Sequence, residues 1–292
     1  MGADVSADKR VDMNDAKGLS EPASTAEAVG ARSMEVVRHQ TGGGSTGDDW
    51  LAEEVAVALV FNGISHAVMM ATPGHLEDFA LGFALSEGLL SDASELYGTE
   101  VTHGPQGIAV DLEVAAACEW RLKERRRHMA GRTGCGLCGV DDLAQVRRAT
   151  PPVPAVSVSL AAVTHAMRVM RAQQTLQQQT GATHAAAWCD AQGQVLCVRE
   201  DVGRHNALDK LIGAVVRARL PVPEGFVCIT SRASFEMVQK AATLGVGVLA
   251  AVSAPTALAV DMARECGMVL LGFVRDDTGV AYANAQRVLA QT

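Results

Sequence analysis

Two observations in the amino-acid sequence predict an α/β protein with two domains. In the second half of the chain, short apolar runs that fit buried strands alternate with amphipathic runs that fit helices. Ahead of them, three prolines between positions 151 and 154 mark a linker. We therefore predict a disordered tail over residues 1–48, a small N-terminal α/β domain over 49–150, and a larger α/β domain over 151–292.

The tail is predicted from its composition. The first 48 residues are rich in Ala, Gly, Ser, Asp and Glu, and their apolar residues follow neither a helical nor a strand period. Such segments bury too little apolar surface to fold. They end in the glycine-rich run from Thr41 to Asp49, so we expect order to begin near Trp50.

The N-terminal domain is predicted to hold two strand pairs and a helix. An Asn-Gly pair, which is a strong hairpin signal, separates the apolar runs 55–61 and 64–70. Apolar residues at helical spacing predict a helix over 76–87. A second pair of strands is expected over 98–104 and 107–114.

The C-terminal domain is predicted to alternate between helices and strands. Apolar residues fill its strands along their whole length, which indicates a sheet covered by helices on both faces. The expected helices span 160–179, 206–219, 235–244 and 256–266, and the strands span 184–199 (two strands), 226–230, 246–252 and 268–274.

Composition excludes several classes of function. The formal net charge of −8 argues against general binding of nucleic acid or of an anionic membrane. No apolar run approaches the roughly 20 residues that a membrane-spanning helix needs, and the polar N-terminus does not resemble a signal peptide. The seven cysteines lack a dense disulfide pattern, so we expect a reducing compartment.

The segment with the clearest chemistry is the loop Gly134-Cys135-Gly136-Leu137-Cys138-Gly139. Six basic residues between positions 121 and 132 precede it, and nearby cations favour the reactive thiolate form of cysteine. The spacing leaves three interpretations open: a structural zinc site, a thioredoxin-like dithiol, and a cysteine that carries sulfur. A zinc site usually needs a second ligand pair, and a redox dithiol usually opens a helix after a strand.

A second candidate site lies where predicted strands meet predicted helices. Arg204 and His205 follow one strand, and Ser231 and Arg232 follow another. Strand ends of this kind converge on one crevice, and helix N-termini there bind phosphates. Serine and threonine at such positions can be simple helix caps, whereas capping does not call for arginine. The pattern predicts an anion-binding crevice.

Together these segments resemble the formate dehydrogenase accessory sulfurtransferase family, FdhD. The resemblance extends over about residues 50–290. The matching segments are 57–66, 76–83, 122–127, 131–139, 183–188, 200–210 and 231–240.

The resemblance implies a cytoplasmic sulfurtransferase and a role for each loop cysteine. A cysteine desulfurase would load sulfur onto Cys135 as a persulfide, and Cys138 matches the second cysteine of the family's loop. The sulfur would then pass to the molybdenum cofactor, bis-molybdopterin guanine dinucleotide, that formate dehydrogenase requires. The alternative is a zinc-stabilised, cofactor-binding chaperone without persulfide chemistry.

The resemblance also implies where the cofactor binds and how the chain is organised. The phosphates of this cofactor suit arginines and helix N-termini, so the residues that the strand–helix pattern had indicated, Arg204, His205, Ser231 and Arg232, are expected to bind them. The fold implied for the second domain is a cytidine-deaminase-like three-layer α/β arrangement, without a catalytic metal, in a homodimer. The family's cofactor-binding stretch corresponds to Phe273, Val274, Arg275, Asp276, Asp277 and Thr278.

Overall fold

The computed structural model describes residues 28–118, 120–123 and 150–289, and it begins with a two-stranded ribbon. Strands β1 (Ala31–Gln40) and β2 (Gly43–Ala52) pair antiparallel along their full lengths. The prediction of a tail to residue 48 is therefore wrong for 31–48, and its first 27 residues lie outside the described residues. The ribbon is mostly exposed, so its sequence carries little apolar alternation.

The glycine run of this ribbon contains the residue spacing of two functional motifs but not the local structure that they require. Gly42, Gly44 and Gly47 have the Gly-x-Gly-x-x-Gly spacing of dinucleotide-binding turns, and Ser45 sits in a Gly-x-Ser-x-Gly string. Both motifs work at a turn between a strand and a helix. Here they lie at the start of β2 in an antiparallel hairpin, so neither function is available.

The first half of the chain is a four-stranded sheet with one helix. Its strands β3 (Val55–Phe61), β4 (Ile64–Ala71), β5 (Leu96–Gly104) and β6 (Gly107–Val114) lie in the order β4-β3-β6-β5. Helix α1 (Leu76–Ser86) covers one face and forms a common core with it. The predicted hairpin turn is present: Asn62 and Gly63 both have positive φ.

The second half is a six-stranded mixed sheet with helices on both faces, which confirms the predicted α/β class and the three layers. Helix α2 (Leu160–Ala172) packs on one face, and α4 (Arg204–Arg217), α5 (Phe235–Thr243) and α6 (Ala257–Cys266) pack on the other. The sheet strands are β8 (His184–Asp190), β9 (Val195–Asp201), β10 (Gly225–Ile229), β11 (Val248–Ala251), β12 (Val269–Arg275) and β13 (Thr278–Ala283), in the order β13-β12-β11-β10-β8-β9. A separate short parallel pair joins β7 (Val158–Ser159) and β14 (Val288–Leu289).

One predicted helix is divided in two by a distant carboxylate. The helix expected over 160–179 ends at Ala172, and a separate short helix, α3 (Thr175–Thr180), follows it. The carboxylate of Glu200 accepts hydrogen bonds from the backbone N–H groups of Leu176 (3.0 Å) and Gln177 (2.8 Å). It thus satisfies free donors in the first turn of α3 and stabilises the break.

The two halves are joined closely through α1 and α4. Gly82 of α1 and Gly213 of α4 lie in the contact, where a Cβ on either would overlap the backbone carbonyl of the opposite helix. Polar groups cross the same seam, including the ion pair between Asp78 and Arg199 (2.8 Å). The two halves therefore pack directly against each other. No helix among the described residues is long and apolar enough to span a membrane.

Candidate functional site at the strand carboxyl ends

Five strands of the larger sheet place their loops along one edge. Strands β10, β11 and β12 run parallel, and β9 runs the same way because β8, antiparallel to both neighbours, lies between β9 and β10. The carboxyl ends of these four strands and the start of β8 therefore share an edge. We call this edge, with the segments 201–205, 231–236, 253–256 and 273–275, the crevice edge.

Backbone hydrogen bonds tie the loops of the crevice edge together. Thr256 N–H donates to the carbonyl of Ala233 (3.0 Å), and Phe273 N–H donates to that of Ser253 (3.3 Å). Neighbouring loops are thus held in fixed relation, and most of the predicted cofactor-binding residues come to the same edge. The sequence predicted that the loops after parallel strands would converge, and these loops do converge although the sheet is mixed.

Three arginines at this edge have no carboxylate partner among the described residues. They are Arg204 after β9, Arg232 after β10 and Arg275 at the end of β12. The Nε atom of Arg204 is buried and makes no hydrogen bond within the described part of the chain. A buried donor without a partner costs free energy unless a ligand or water satisfies it. The arrangement is suited to binding an anion.

Two buried lysines near the crevice edge are neutralised within the fold. Lys210 pairs with Asp201 at 2.7 Å and Lys240 with Asp209 at 2.9 Å, with all four side chains at most 8% exposed. Asp201 also accepts from the backbone N–H of Gly203 (2.8 Å). These acidic and basic residues of segment 200–210 therefore have structural partners, and they shape the turn that presents Arg204 and His205.

A histidine and a glutamate connect the first turns of α4 and α5. His205 Nε2 lies 3.0 Å from Glu236 Oε2, and the Ser234 hydroxyl donates to the same oxygen (3.2 Å). Burial raises the pKa of Glu236, but the hydrogen bond and charge of His205, with Ser234 and Arg204, outweigh it and lower the pKa below its ordinary value. Sequence reasoning did not single out Glu236, because its partner lies 31 positions away.

The electrostatic setting of His184 also indicates a positive crevice edge. His184 begins β8 beside this site. Burial lowers its pKa first, and the positive charges of Arg204 and His205 lower it further. An anionic ligand at the crevice edge would be attracted by the same positive charges.

The predicted cofactor-binding stretch is divided between exposed and buried positions. Phe273 has a positive φ of 52° and an exposed ring, with the Arg275 guanidinium 5.8 Å from the ring centroid. Val274 is fully buried in the core, so its side chain faces away from any ligand. Asp276 and Asp277 form the exposed turn before β13, and the Thr278 hydroxyl donates to the Arg275 carbonyl (3.1 Å).

The hydroxyl groups of the crevice edge differ in the hydrogen bonds that they form. Thr256 caps α6, because its side chain accepts from the Ala259 N–H (3.3 Å). Ser234 precedes α5 but makes no capping hydrogen bond with its side chain. The Ser231 hydroxyl donates to the carbonyl of Arg232 (3.0 Å). Capping thus explains Thr256 but not Ser234.

The predicted sulfur-carrying loop, with Cys135 and Cys138, lies outside the described residues. Of the basic lead-in, Arg121 has a structural partner: its guanidinium pairs with Glu95 at 2.6 Å and also lies 3.0 Å from the Cys118 sulfur. The Arg121 hydrogen bond lowers the pKa of Glu95. Within the described ranges, no group of three or more His, Cys, Asp or Glu side chains could hold a metal ion.

Comparison with known proteins places this geometry in a family. Residues 52–289 match the model of the FdhD/NarQ family. The chain is 58% identical over 241 residues to a sulfur carrier protein FdhD from Variovorax paradoxus, covering 82% of this chain and 87% of the relative. A second relative of that name, from Bordetella petrii, is 55% identical over 247 residues and covers 84% and 89%.

A solved structure supports the fold. A crystal structure described as a formate dehydrogenase accessory protein from Desulfotalea psychrophila superposes with a TM-score of 0.69. The match covers 89% of this chain and 99% of that one, at 23% identity. The family match spans both sheets and the crevice edge, and the chain therefore belongs to the FdhD/NarQ family.

Proposed function

We propose that this protein carries sulfur as a persulfide on Cys135 and delivers it to the molybdenum cofactor that formate dehydrogenase requires. The observation that carries the proposal is the match to relatives named sulfur carrier protein FdhD over 82% of the chain. Cys135 and Cys138 both lie inside the family-matched range 52–289. The donor of the sulfur would be a cysteine desulfurase.

The loading step is a transfer between two thiols. The Cys135 thiolate attacks the outer sulfur of a persulfide on the desulfurase, forming a new S–S bond as the old one breaks. The desulfurase cysteine leaves as a thiolate, so no external oxidant or reductant is consumed. Six basic residues between positions 121 and 132 support an anionic carrier, although Arg121 is itself paired with Glu95.

The crevice edge is our candidate for binding the cargo. Bis-molybdopterin guanine dinucleotide carries several phosphates, and these suit arginines without carboxylate partners and the N–H groups at a helix N-terminus. Arg204, Arg232 and Arg275 are such arginines, and α4 and α5 begin at this edge. We propose Arg204, Arg232, His205 and Ser231 as phosphate contacts, with Phe273 available for stacking on a base.

The proposed partners follow from this role. The chain would meet a cysteine desulfurase for loading and a formate dehydrogenase for delivery, in the cytoplasm. We also expect it to form a homodimer. Gel filtration with light scattering on the full chain would test the last expectation, and a single monomeric mass at micromolar concentration would contradict it.

Mass spectrometry tests the persulfide directly. The full-length protein is incubated with a cysteine desulfurase and cysteine, and the peptide containing residues 134–139 is examined without reduction. We expect the mass of one added sulfur atom on this peptide, and its loss in Cys135→Ala. Cys197→Ala is the matched control, because it removes a half-buried thiol outside the loop. An equal yield of adduct in Cys135→Ala would refute the assignment.

Metal analysis distinguishes the alternative function. A zinc-stabilised chaperone would contain stoichiometric zinc that is lost in Cys138→Ser, and it would form no adduct. A thioredoxin-like protein would turn over a dithiol substrate without storing sulfur. The sulfur-carrier proposal expects the adduct and neither of these results.

A further inference from the structure

A buried carboxylate, Asp201, holds the loop between β9 and α4 that leads into Arg204. Its Oδ1 atom accepts hydrogen bonds from the backbone N–H of Gly203 (2.8 Å) and from the side-chain amide of Asn206 (3.0 Å). A Cβ on Gly203 would lie 2.9 Å from that amide nitrogen, so the loop is folded closely around the carboxylate. Asp201 thus fixes the backbone immediately before Arg204.

The other carboxylate oxygen of Asp201 is bound by a residue from the first half of the chain. Thr72, which directly follows β4, donates both its backbone N–H and its hydroxyl to Oδ2 of Asp201, each at 2.9 Å. Lys210 pairs with the same oxygen at 2.7 Å and also donates to the hydroxyl (2.6 Å) and the carbonyl (3.0 Å) of Thr72. All three residues are at most 2% exposed, so these hydrogen bonds are shielded from water.

The position of the Arg204 guanidinium depends on this support. No ion pair holds Arg204 within the described part of the chain, and its Nε atom makes no hydrogen bond there. Its position therefore follows from the backbone that carries it, and this backbone is held by Asp201, which Thr72 holds in turn. A binding group must be kept within about 0.5 Å of its working position by supporting hydrogen bonds. The hydroxyl of Thr72 supplies one of them.

We infer that Thr72 is a positioning residue for the proposed cofactor site: its hydroxyl orients Asp201 and thereby the loop that presents Arg204 to a phosphate group. The inference rests on the proposed function, since Arg204 is a proposed phosphate contact. It gives the first half of the chain a part in binding at the crevice edge, although every segment of that edge belongs to the second half.

Binding of guanosine diphosphate to the full-length protein, measured by calorimetry, tests the inference. Thr72→Val removes the hydroxyl but keeps the backbone N–H that donates to Asp201. We expect about a tenfold loss of affinity, the size of effect that the loss of a hydrogen bond to a charged group produces. Thr72→Ser restores a hydroxyl and should bind within about threefold of the unaltered protein.

Thr164→Val is the matched control. Thr164 is also a buried threonine, but its hydroxyl donates within α2 to the carbonyl of Ala161 (3.2 Å), on the opposite face of the sheet from α4. This variant should bind as the unaltered protein does, and urea unfolding checks that each variant is folded under the binding conditions. An equal loss of affinity in Thr164→Val and Thr72→Val, or no loss in Thr72→Val, would overturn the inference.

Amide hydrogen exchange separates this inference from the proposed function. If the unaltered protein does not bind guanosine diphosphate, the cofactor site of the proposed function fails, and exchange in the ligand-free protein then decides whether Thr72 holds the loop. We expect the Gly203 amide to exchange faster in Thr72→Val than in Thr72→Ser or Thr164→Val, with the amides of β10 unchanged. Equal exchange at Gly203 in the three variants would refute the inference.

Exchange in the unaltered protein provides the test if Thr72→Val does not fold. Coupling between two sites is reciprocal, so guanosine diphosphate should slow the exchange of the Thr72 amide, which donates to Asp201. Exchange at Thr72 that is the same with and without bound guanosine diphosphate would refute the inference.

Discussion

Gly82 of α1 lies directly against Gly213 of α4: a Cβ on Gly82 would come within 2.8 Å of the Gly213 nitrogen and would overlap the Asp209 carbonyl. The two helices can approach this closely because neither has a side chain at the crossing. The crossing connects the half that leads into the cysteine loop with the half that holds the crevice edge. It therefore fixes how the two described halves of the chain pack against each other.

Gly82→Ala should destabilise the protein, although alanine normally favours a helix over glycine by about 1 kcal/mol. The added methyl group meets backbone atoms that cannot rotate away, so the helices must separate. We expect a net loss of about 2–3 kcal/mol in the free energy of unfolding, measured with urea. Gly43→Ala is the control, because a Cβ there meets nothing within 4 Å. Equal stability of Gly82→Ala and the unaltered protein would show that the helices do not pack in this way.

The buried pair of Lys240 and Asp209 gives a pH-dependent prediction. Burial raises the pKa of Asp209 above its ordinary value, against the opposing effects of Lys240 and Ser86. In Lys240→Met the largest opposing effect is lost, so the Asp209 pKa rises further. A carboxyl group with a raised folded-state pKa stabilises the fold below its unfolded pKa and loses this contribution as the pH rises through the folded value. The variant should therefore lose more of its free energy of unfolding at alkaline than at acidic pH.

Urea unfolding of Lys240→Met at several pH values checks this expectation. We expect a loss of about 3–5 kcal/mol near neutral pH, because a buried charge is left without its partner. Arg38→Met is the matched control: Arg38 and Asp49 are 47% and 53% exposed, and breaking their 3.6 Å pair should cost under about 1 kcal/mol. A loss that is independent of pH would contradict the role given to Asp209.

The thiols of the described fold should react slowly, and this bears on every test that uses the cysteine loop. Cys118, Cys189, Cys228 and Cys266 are buried, and Cys197 is half-buried. Burial raises the pKa of the Cys118, Cys197 and Cys266 thiols, and that of Cys228 is raised by its contact with Cys189 and by burial. Alkylation requires the thiolate.

We therefore expect iodoacetamide to modify the double variant Cys135→Ala/Cys138→Ala slowly under native conditions. All five remaining thiols should react after unfolding in urea, and intact-mass spectrometry counts the additions in both states. Free cysteine in the same solution provides the reference rate. A thiol of the folded variant that reacts as fast as free cysteine would mean that the fold does not protect it.

Local sequence signals predicted most of the fold, and contacts between distant residues account for what was missed. Asn62 and Gly63 form the predicted turn because both residue types accept positive φ on their own. The break between α2 and α3 depends instead on Glu200, whose carboxylate approaches from another strand. The helix propensity of residues 160–179 could not indicate that contact. The exposed ribbon of β1 and β2 was missed because cross-strand pairing, not apolar alternation, defines it.

In the candidate site, too, local sequence signals indicated some residues, and contacts between distant residues determine the rest. Arg204 and Arg232 could be predicted, because arginine at a strand–helix junction has no role in capping. Lys210 and Asp209 stood out equally in the sequence, yet both are paired inside the fold. Only the tertiary structure separates cations that have carboxylate partners from those that do not. It also reveals Glu236, whose contact with His205 spans 31 positions.

Arg204→Met and Arg232→Met should each weaken the binding of guanosine diphosphate by about tenfold at low salt, which corresponds to about 1.4 kcal/mol. Each change removes a cation that lacks a carboxylate partner among the described residues, while methionine preserves much of the side-chain volume. The loss should diminish as salt is added, because exposed charges are screened. Calorimetry at two salt concentrations measures this effect. Arg171→Met is the control, since Arg171 is an exposed arginine at the end of α2, away from the crevice edge. If all three variants bind alike, the phosphates lie elsewhere on the molecule.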